Sequence, residues 1–261
     1  MVVLALDFDG VISDSAGEAF FVATQTYLDL CPGSLLLRDA PQNWTPTAVE
    51  NFPLYRSFID LMALGNRAED FGVALAILEK GAAVESQQAY DEFRGAQPPE
   101  FLEDFHRRFY EVRSDWSFRD PDGWRSWMKP YDSFLEILQR RSSEVCLAIA
   151  TAKDRDSIRS LLSSYGVASL FSDSLVFDKE AGVNKRAHLE LIRDRLGCAF
   201  EEVLFIDDKV KHLHDVSRLG VRCGLATWGY NGPPQVEEAR RFGHRVLGLD
   251  DVERQVFGGR G

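Results

Sequence analysis

Short runs of consecutive apolar residues punctuate this chain, separated by longer stretches in which apolar residues recur every three or four positions. Val2–Asp7 is one such run, apolar and partly β-branched until it meets a polar cluster, as expected of a strand buried on both faces. Val145–Ala150, Val203–Ile206 and Cys223–Ala226 repeat it, and Leu175–Phe177 is a shorter instance. Between them, Tyr131–Arg141 lines up Phe134, Leu135, Ile137 and Leu138 on one helical face. Asp154–Tyr165 does the same with Ile158, Leu161 and Leu162, and Lys185–Leu196 and Lys209–Leu219 follow the same period. Strands alternating with helices of this length predict right-handed crossovers. The expected fold class is therefore α/β, a Rossmann-like parallel sheet with helices on both faces.

From about Ala16 to Pro121 that rhythm fails. No buried strand is evident there, but Glu18–Leu30, Leu54–Leu64, Ala68–Leu78 and Glu100–Val112 are amphipathic and helical in period. Pro41, Pro46, Pro53, Pro98 and Pro99 punctuate them. The reading is an α/β core built from residues 1–15 and 122–261, with a mostly α-helical domain, 16–121, inserted after the first strand. There is no internal repeat, and Gly258–Gly261 reads as an unstructured tail.

Composition narrows the partners. The chain has 261 residues, 45% of them hydrophobic, enough for a real core, and a net charge of −11. That balance disfavours nucleic acid and anionic membrane surfaces as partners. The apolar opening is short and no Lys or Arg precedes Asp7, so no signal peptide is expected. No stretch approaches the about 18 apolar residues of a membrane span. Cys31, Cys146, Cys198 and Cys223 are scattered without a CxxC pair, which fits reduced thiols in a cytoplasmic protein. The acidity is unevenly spread. Residues 16–120 hold seventeen acids against nine bases, whereas 121–261 hold twenty-one of each.

Ligands of an open parallel sheet bind at the carboxyl ends of its strands. The first strand delivers Asp7-Phe8-Asp9-Gly10, the second Thr151, and a later one Asp207-Asp208, with Lys179 and Lys185 between. Asp7 and Asp9, two apart, would share a face of a straight strand. Carboxylates held that close resist ionising together. A divalent cation resolves this, and an all-oxygen ligand set with open positions suits Mg²⁺, which also binds substrate phosphate. His212 and His214 are two apart on a helix and point differently, so they do not suggest a metal pair. His212 is expected instead to hydrogen-bond a neighbouring loop or an Asp207 oxygen.

The DFDGVISDS of Asp7–Ser15 resembles the first motif of the haloacid dehalogenase superfamily. Thr151 closing LAIAT, Lys185 opening a helix, IDD at Ile206–Asp208 and Gly220 twelve residues on follow in the same order. Trp228-Gly229-Tyr230 resembles the phosphoglycolate phosphatase-like branch, and the likeness spans residues 1–15 and about 122–255. The resemblance implies Asp7 as nucleophile forming an aspartyl-phosphate and Asp9 as general acid, then base. It implies Thr151 as a phosphoryl hydrogen-bond donor and Lys185 holding the Asp7 and phosphate charges together, with Lys179 its rival. Asp208 would ligate Mg²⁺ beside Asp7 and the Asp9 carbonyl, with Asp207 farther from the ion. Gly10, Ala152 and Lys153 would bind phosphate. The inserted domain would be a cap closing over small substrates, hinged near Asp14–Gly17 and Arg119–Gly123, with Arg67 in a substrate-facing loop. Its aromatic residues would fit either an apolar leaving group or ordinary core packing. The chain departs from the family at position 212, where an acid or Asn is common.

The expected activity is Mg²⁺-dependent hydrolysis of a small phosphorylated metabolite, by a monomer or homodimer. Asp9 disfavours a dehalogenase, which needs no acid for a leaving alcohol. The inserted region's single Lys, Lys80, lacks a phosphonatase-like context. A phosphosugar mutase on the same residues and a non-catalytic binding module remain as alternatives.

Overall fold

The structure, a computed structural model, describes residues 2–41, 43–182 and 184–258; positions 259–261 of the expected tail lie outside them. The chain divides into two compact units, Met1–Asp14 with Lys129–Gly261, and Ser15–Met128.

The first unit is built on a parallel sheet of β1 (Val3–Leu6), β2 (Cys146–Ala150), β3 (Val176–Phe177), β4 (Val203–Asp207), β5 (Arg222–Ala226) and β6 (Arg245–Leu247). Their order is β3-β2-β1-β4-β5-β6, which puts β1 at the centre. Val3 pairs with Cys146 on one side and Val203 on the other. Adjacent residues of a strand face opposite sides, and all four of β1 are buried. Val3 and Ala5 join Leu189, Ile192, Val210, Leu213, Val216 and Ala239 in one apolar cluster. Leu4 and Leu6 are equally buried, so the second face is covered as well. A two-residue antiparallel pairing, Ser13–Asp14 with Lys129–Pro130, ties together the points where the chain leaves and re-enters this unit.

In chain order the helices of the second unit are α1 (Ala16–Leu30), α2 (Pro46–Glu50), α3 (Pro53–Met62), α4 (Ala68–Lys80), α5 (Gln87–Gly95), α6 (Pro99–Arg119) and α7 (Pro121–Ser126). Those of the first are α8 (Asp132–Arg141), α9 (Arg155–Ser164), α10 (Lys185–Leu196), α11 (Val210–Ser217), α12 (Pro233–Arg241) and α13 (Val252–Phe257). The helical unit has an aromatic core. Phe20 lies 5.0 Å from Phe58 and 5.4 Å from Tyr55, and Phe71 lies 5.4 Å from Phe109, centroid to centroid. Phe20, Phe58, Phe105 and Phe109 are fully buried, so core packing accounts for much of this region's aromatic content. The unit's second boundary falls at Met128/Lys129, later than the expected 121/122. The reason is α7, whose buried Trp124 donates from Nε1 to Glu18 on α1 at 3.1 Å.

Candidate active site

β1 is hydrogen-bonded on through Asp7, whose N–H donates to the Ile206 carbonyl at 2.9 Å, and then the chain turns. The Phe8 carbonyl accepts from Ile12 and Ser13, and the Gly10 N–H donates to Ser13 at 2.8 Å. Gly10 has φ +80°, a conformation that side-chain-bearing residues rarely adopt. A Cβ there would stand 2.6 Å from the Asp208 carboxyl. Because of this turn Asp7 and Asp9 do not share the strand face expected of them, and each meets a different lysine. Lys185 Nζ is 2.6 Å from Asp7 Oδ1, while Lys153 Nζ is 3.1 Å from Asp9 Oδ1.

Lys185 opens α10 and is buried. Its ammonium also donates to the Ala150 carbonyl at 2.7 Å and stands 3.4 Å from Asp207 Oδ2. Of the two lysines weighed in the sequence, Lys185 stands close to both Asp7 and Asp207. Burial alone would lower its pKa, but Asp7 and Asp207 outweigh that and raise it, keeping the ammonium charged. For Asp7, burial is the larger effect and raises the carboxyl above its ordinary value, against the pull of Lys185.

Asp207 ends β4 and Asp208 follows it; both are completely buried, yet their surroundings differ. Asp207 accepts from the Lys209 N–H at 2.8 Å and meets His212 Nδ1 at 3.0 Å, the second of the two contacts expected of that histidine. Burial would raise its pKa, but His212 and Lys185 overcome this and hold it well below the ordinary carboxylate range. Asp7, Asp207 and His212 offer ligand atoms within 4.8 Å of one another, a grouping that includes Asp207 where the sequence favoured Asp208. Asp208 instead accepts the Tyr230 N–H at 2.8 Å, and its Oδ1 is buried without a hydrogen bond. Burial pushes it up to about 7.

Thr151 follows β2 and is buried, its Oγ1 accepting the Lys153 N–H at 3.3 Å. The cap of α9 is Asp154, which accepts the Ser157 N–H at 2.8 Å, so Thr151 is not that helix's N-cap. Ala152 beside it is exposed. Arg67 belongs to the helical unit, where it is exposed and precedes α4, its N–H donating to Asp70 at 3.0 Å.

One residue of this cluster was not singled out in the sequence. Lys209 is buried, its Nζ donating to the Tyr230 carbonyl at 2.6 Å and lying 3.6 Å from Asp208 Oδ2. Burial lowers its pKa. Its position directly after the paired aspartates was the available signal. Trp228 and Tyr230, noted in the sequence for their resemblance to the phosphoglycolate phosphatase-like branch, form a strap. Trp228 Nε1 donates to the Val11 carbonyl at 3.1 Å and the Tyr230 hydroxyl meets Asp14 at 3.0 Å, so the loop after β5 fastens the turn after β1.

The family model of haloacid dehalogenase-like hydrolases matches residues 1–214, most of the chain and every residue of this carboxylate–lysine cluster. The chain belongs to the haloacid dehalogenase-like hydrolases. A phosphoglycolate phosphatase of Synechococcus elongatus is 28% identical over 95 residues, which is 36% of this chain and 44% of that protein, less than half its length. Among solved structures, a provisionally named phosphoglycolate phosphatase from Lactobacillus delbrueckii subsp. bulgaricus matches with a TM-score of 0.70 at 14% identity, covering 99% of this chain and 100% of that one. A haloacid dehalogenase family hydrolase from Deinococcus radiodurans, solved with bound phosphate and sodium, matches at TM-score 0.56 and 17% identity over 98% and 95%. At these identities the structural likeness speaks for the fold alone. The haloacid dehalogenase-like assignment makes this chain a hydrolase with an α/β fold. Among its described residues no helix is long and apolar enough to cross a membrane.

Proposed function

We propose that this hydrolase cleaves a small phosphomonoester through an aspartyl-phosphate on Asp7. One observation carries the reading: a buried ammonium, Lys185, stands 2.6 Å from Asp7 and 3.4 Å from Asp207 at the carboxyl ends of the central strands. A carboxylate fixed in this way can attack phosphorus as the ester P–O bond breaks. Asp9, held by Lys153, would give its proton to the departing alkoxide, then take one from the water that releases phosphate. The Thr151 hydroxyl would donate to a phosphoryl oxygen, with the Gly10, Ala152 and Lys153 backbone nearby in sequence. The partial likeness to a phosphoglycolate phosphatase supports a small anionic metabolite as substrate.

The residues fit a divalent cation. Asp208 Oδ1 is buried with no hydrogen bond, and donor atoms of Asp7, Asp207 and His212 lie close together. Asp7, the Asp9 carbonyl, Asp208 and Asp207 would hold Mg²⁺, which when bound supplies positive charge to the phosphoryl oxygens. The four free cysteines support a reducing, cytoplasmic setting.

The test is phosphate release from a panel of phosphorylated metabolites. Wild type with Mg²⁺ is expected to turn over at least one, EDTA to silence it, and Asp7→Asn to abolish it with unchanged circular dichroism. Activity retained by Asp7→Asn would remove the mechanism, and EDTA-insensitive turnover would remove the metal.

A further inference from the structure

The amino edge of the sheet, opposite the carboxylates, holds a cavity of about 330 Å³ lined by residues that include Val2, Val145, Leu204, Arg222, Arg245 and Phe257. Arg222 opens β5 and Arg245 opens β6, whereas Asp207 closes the neighbouring parallel strand β4, so the cavity and the cluster lie at opposite edges of the sheet. We propose that this cavity binds a small oxyanion carried on an apolar body, with Arg222 and Arg245 holding the charged end.

Two guanidinium groups share this wall, and among the described residues neither forms an ion pair with a carboxylate. Arg222 has one long bond, from Nη2 to the Glu202 carbonyl at 3.4 Å, and its Nε is buried with no acceptor. Arg245 donates from Nη1 to the Gln255 carbonyl at 2.7 Å. A guanidinium has five N–H donors in a rigid fork, so among the described residues most of this donor capacity meets no protein acceptor. Leaving buried donors unmade is costly, and like charges side by side add to the cost. Burial and the neighbouring Arg245 both lower the Arg222 pKa, the mark of a cation lacking its counter-charge. The acid on the wall, Glu144, is drawn to Arg141 at 2.9 Å. An oxyanion answers both deficits, since paired N–H donors match its oxygens. The remaining lining, Val2, Val145, Leu204, Val256 and Phe257, is apolar and suits a hydrocarbon body.

The probes are inorganic phosphate and phenylphosphonate, whose C–P bond resists hydrolysis, titrated into the full chain in EDTA at fixed ionic strength. The readouts are the Arg222 and Arg245 Nε–H and the Leu204 methyl NMR signals, which separate this cavity from the strand-end cluster. Saturable shifts are expected, with phenylphosphonate saturating at about tenfold lower concentration because its ring is buried. In the Arg222→Gln/Arg245→Gln protein the Leu204 shifts should vanish while phosphatase turnover stays at the wild-type level. Non-saturable arginine shifts, or Leu204 shifts that persist in the double variant, would overturn the site. Equal saturation by the two probes would overturn the apolar part of the ligand.

Discussion

At Asp208 one carboxyl oxygen accepts the Tyr230 N–H and the other is buried with no hydrogen bond, and burial pushes the group up to about 7 from its ordinary 3.8. Such a group binds its proton more tightly folded than unfolded. It costs nothing below about pH 4, and its cost grows as pH rises to about 7 and is full above that. The size is about 4 kcal/mol at most. In metal-free protein Asp208→Asn, which cannot ionise, is therefore expected to raise Tm at pH 8, with the gain shrinking towards pH 4. Calorimetry in EDTA checks this, and a lower Tm at both pH values would contradict it. The strand-end positions of Asp7, Thr151, Asp207 and Asp208 were legible because each ends an apolar run. The choice between Lys185 and Lys179 was not, because a flexible four-carbon side chain declares its target only once the helix start is placed. Nor was the split between Asp7 and Asp9, which depends on Gly10 turning the chain immediately after β1.

The elements that sequence periodicity found are those with a complete apolar face. β1, β2, β4 and β5 were legible from runs buried on both sides, and α8, α9 and α10 from their stripes. β6 was missed because it is a three-residue edge strand with only Leu247 fully buried. α5 was missed because Tyr90 is its sole buried residue. Within the helical unit the missed α7 matters to stability, since it supplies Trp124 to Glu18. Glu18 is completely buried and accepts from Arg113 at 2.7 and 2.6 Å and from Trp124 at 3.1 Å. Removing one member of such a pair strands the other charge, at a cost of about 3 kcal/mol. Glu18→Gln should lower the stability of the helical unit by about that much, while Glu18→Leu with Arg113→Met should recover most of it. Urea unfolding of the single and double variants decides: a single-variant loss below about 0.5 kcal/mol would show that the pair is not structurally important.

Across the whole chain the net charge of −11 divides unevenly between the units, because 16–120 carries seventeen acids against nine bases. Much of that region's positive charge is already in contact with acids. Arg107 and Arg108 both reach Glu111, Arg94 reaches Glu69 and Asp70, and Arg56 and Arg119 meet acids four residues away. Added salt has two opposing effects here. It weakens those exposed pairs, each worth about 0.2–1 kcal/mol or less, and it screens repulsion among the acids in excess, which acts over the Debye length of about 10 Å at 0.1 M. The excess of eight negative charges in a unit of this size makes the second effect the larger. Raising NaCl from 20 to about 300 mM in EDTA should therefore raise the unfolding temperature of the helical unit. The α/β unit, with twenty-three acids against twenty bases in residues 1–14 and 129–261, carries a smaller excess and should respond less. Hydrogen exchange resolved by segment reads the two separately. A helical unit that loses protection as salt rises would mean that its ion pairs, and not its surplus acids, set its electrostatic stability.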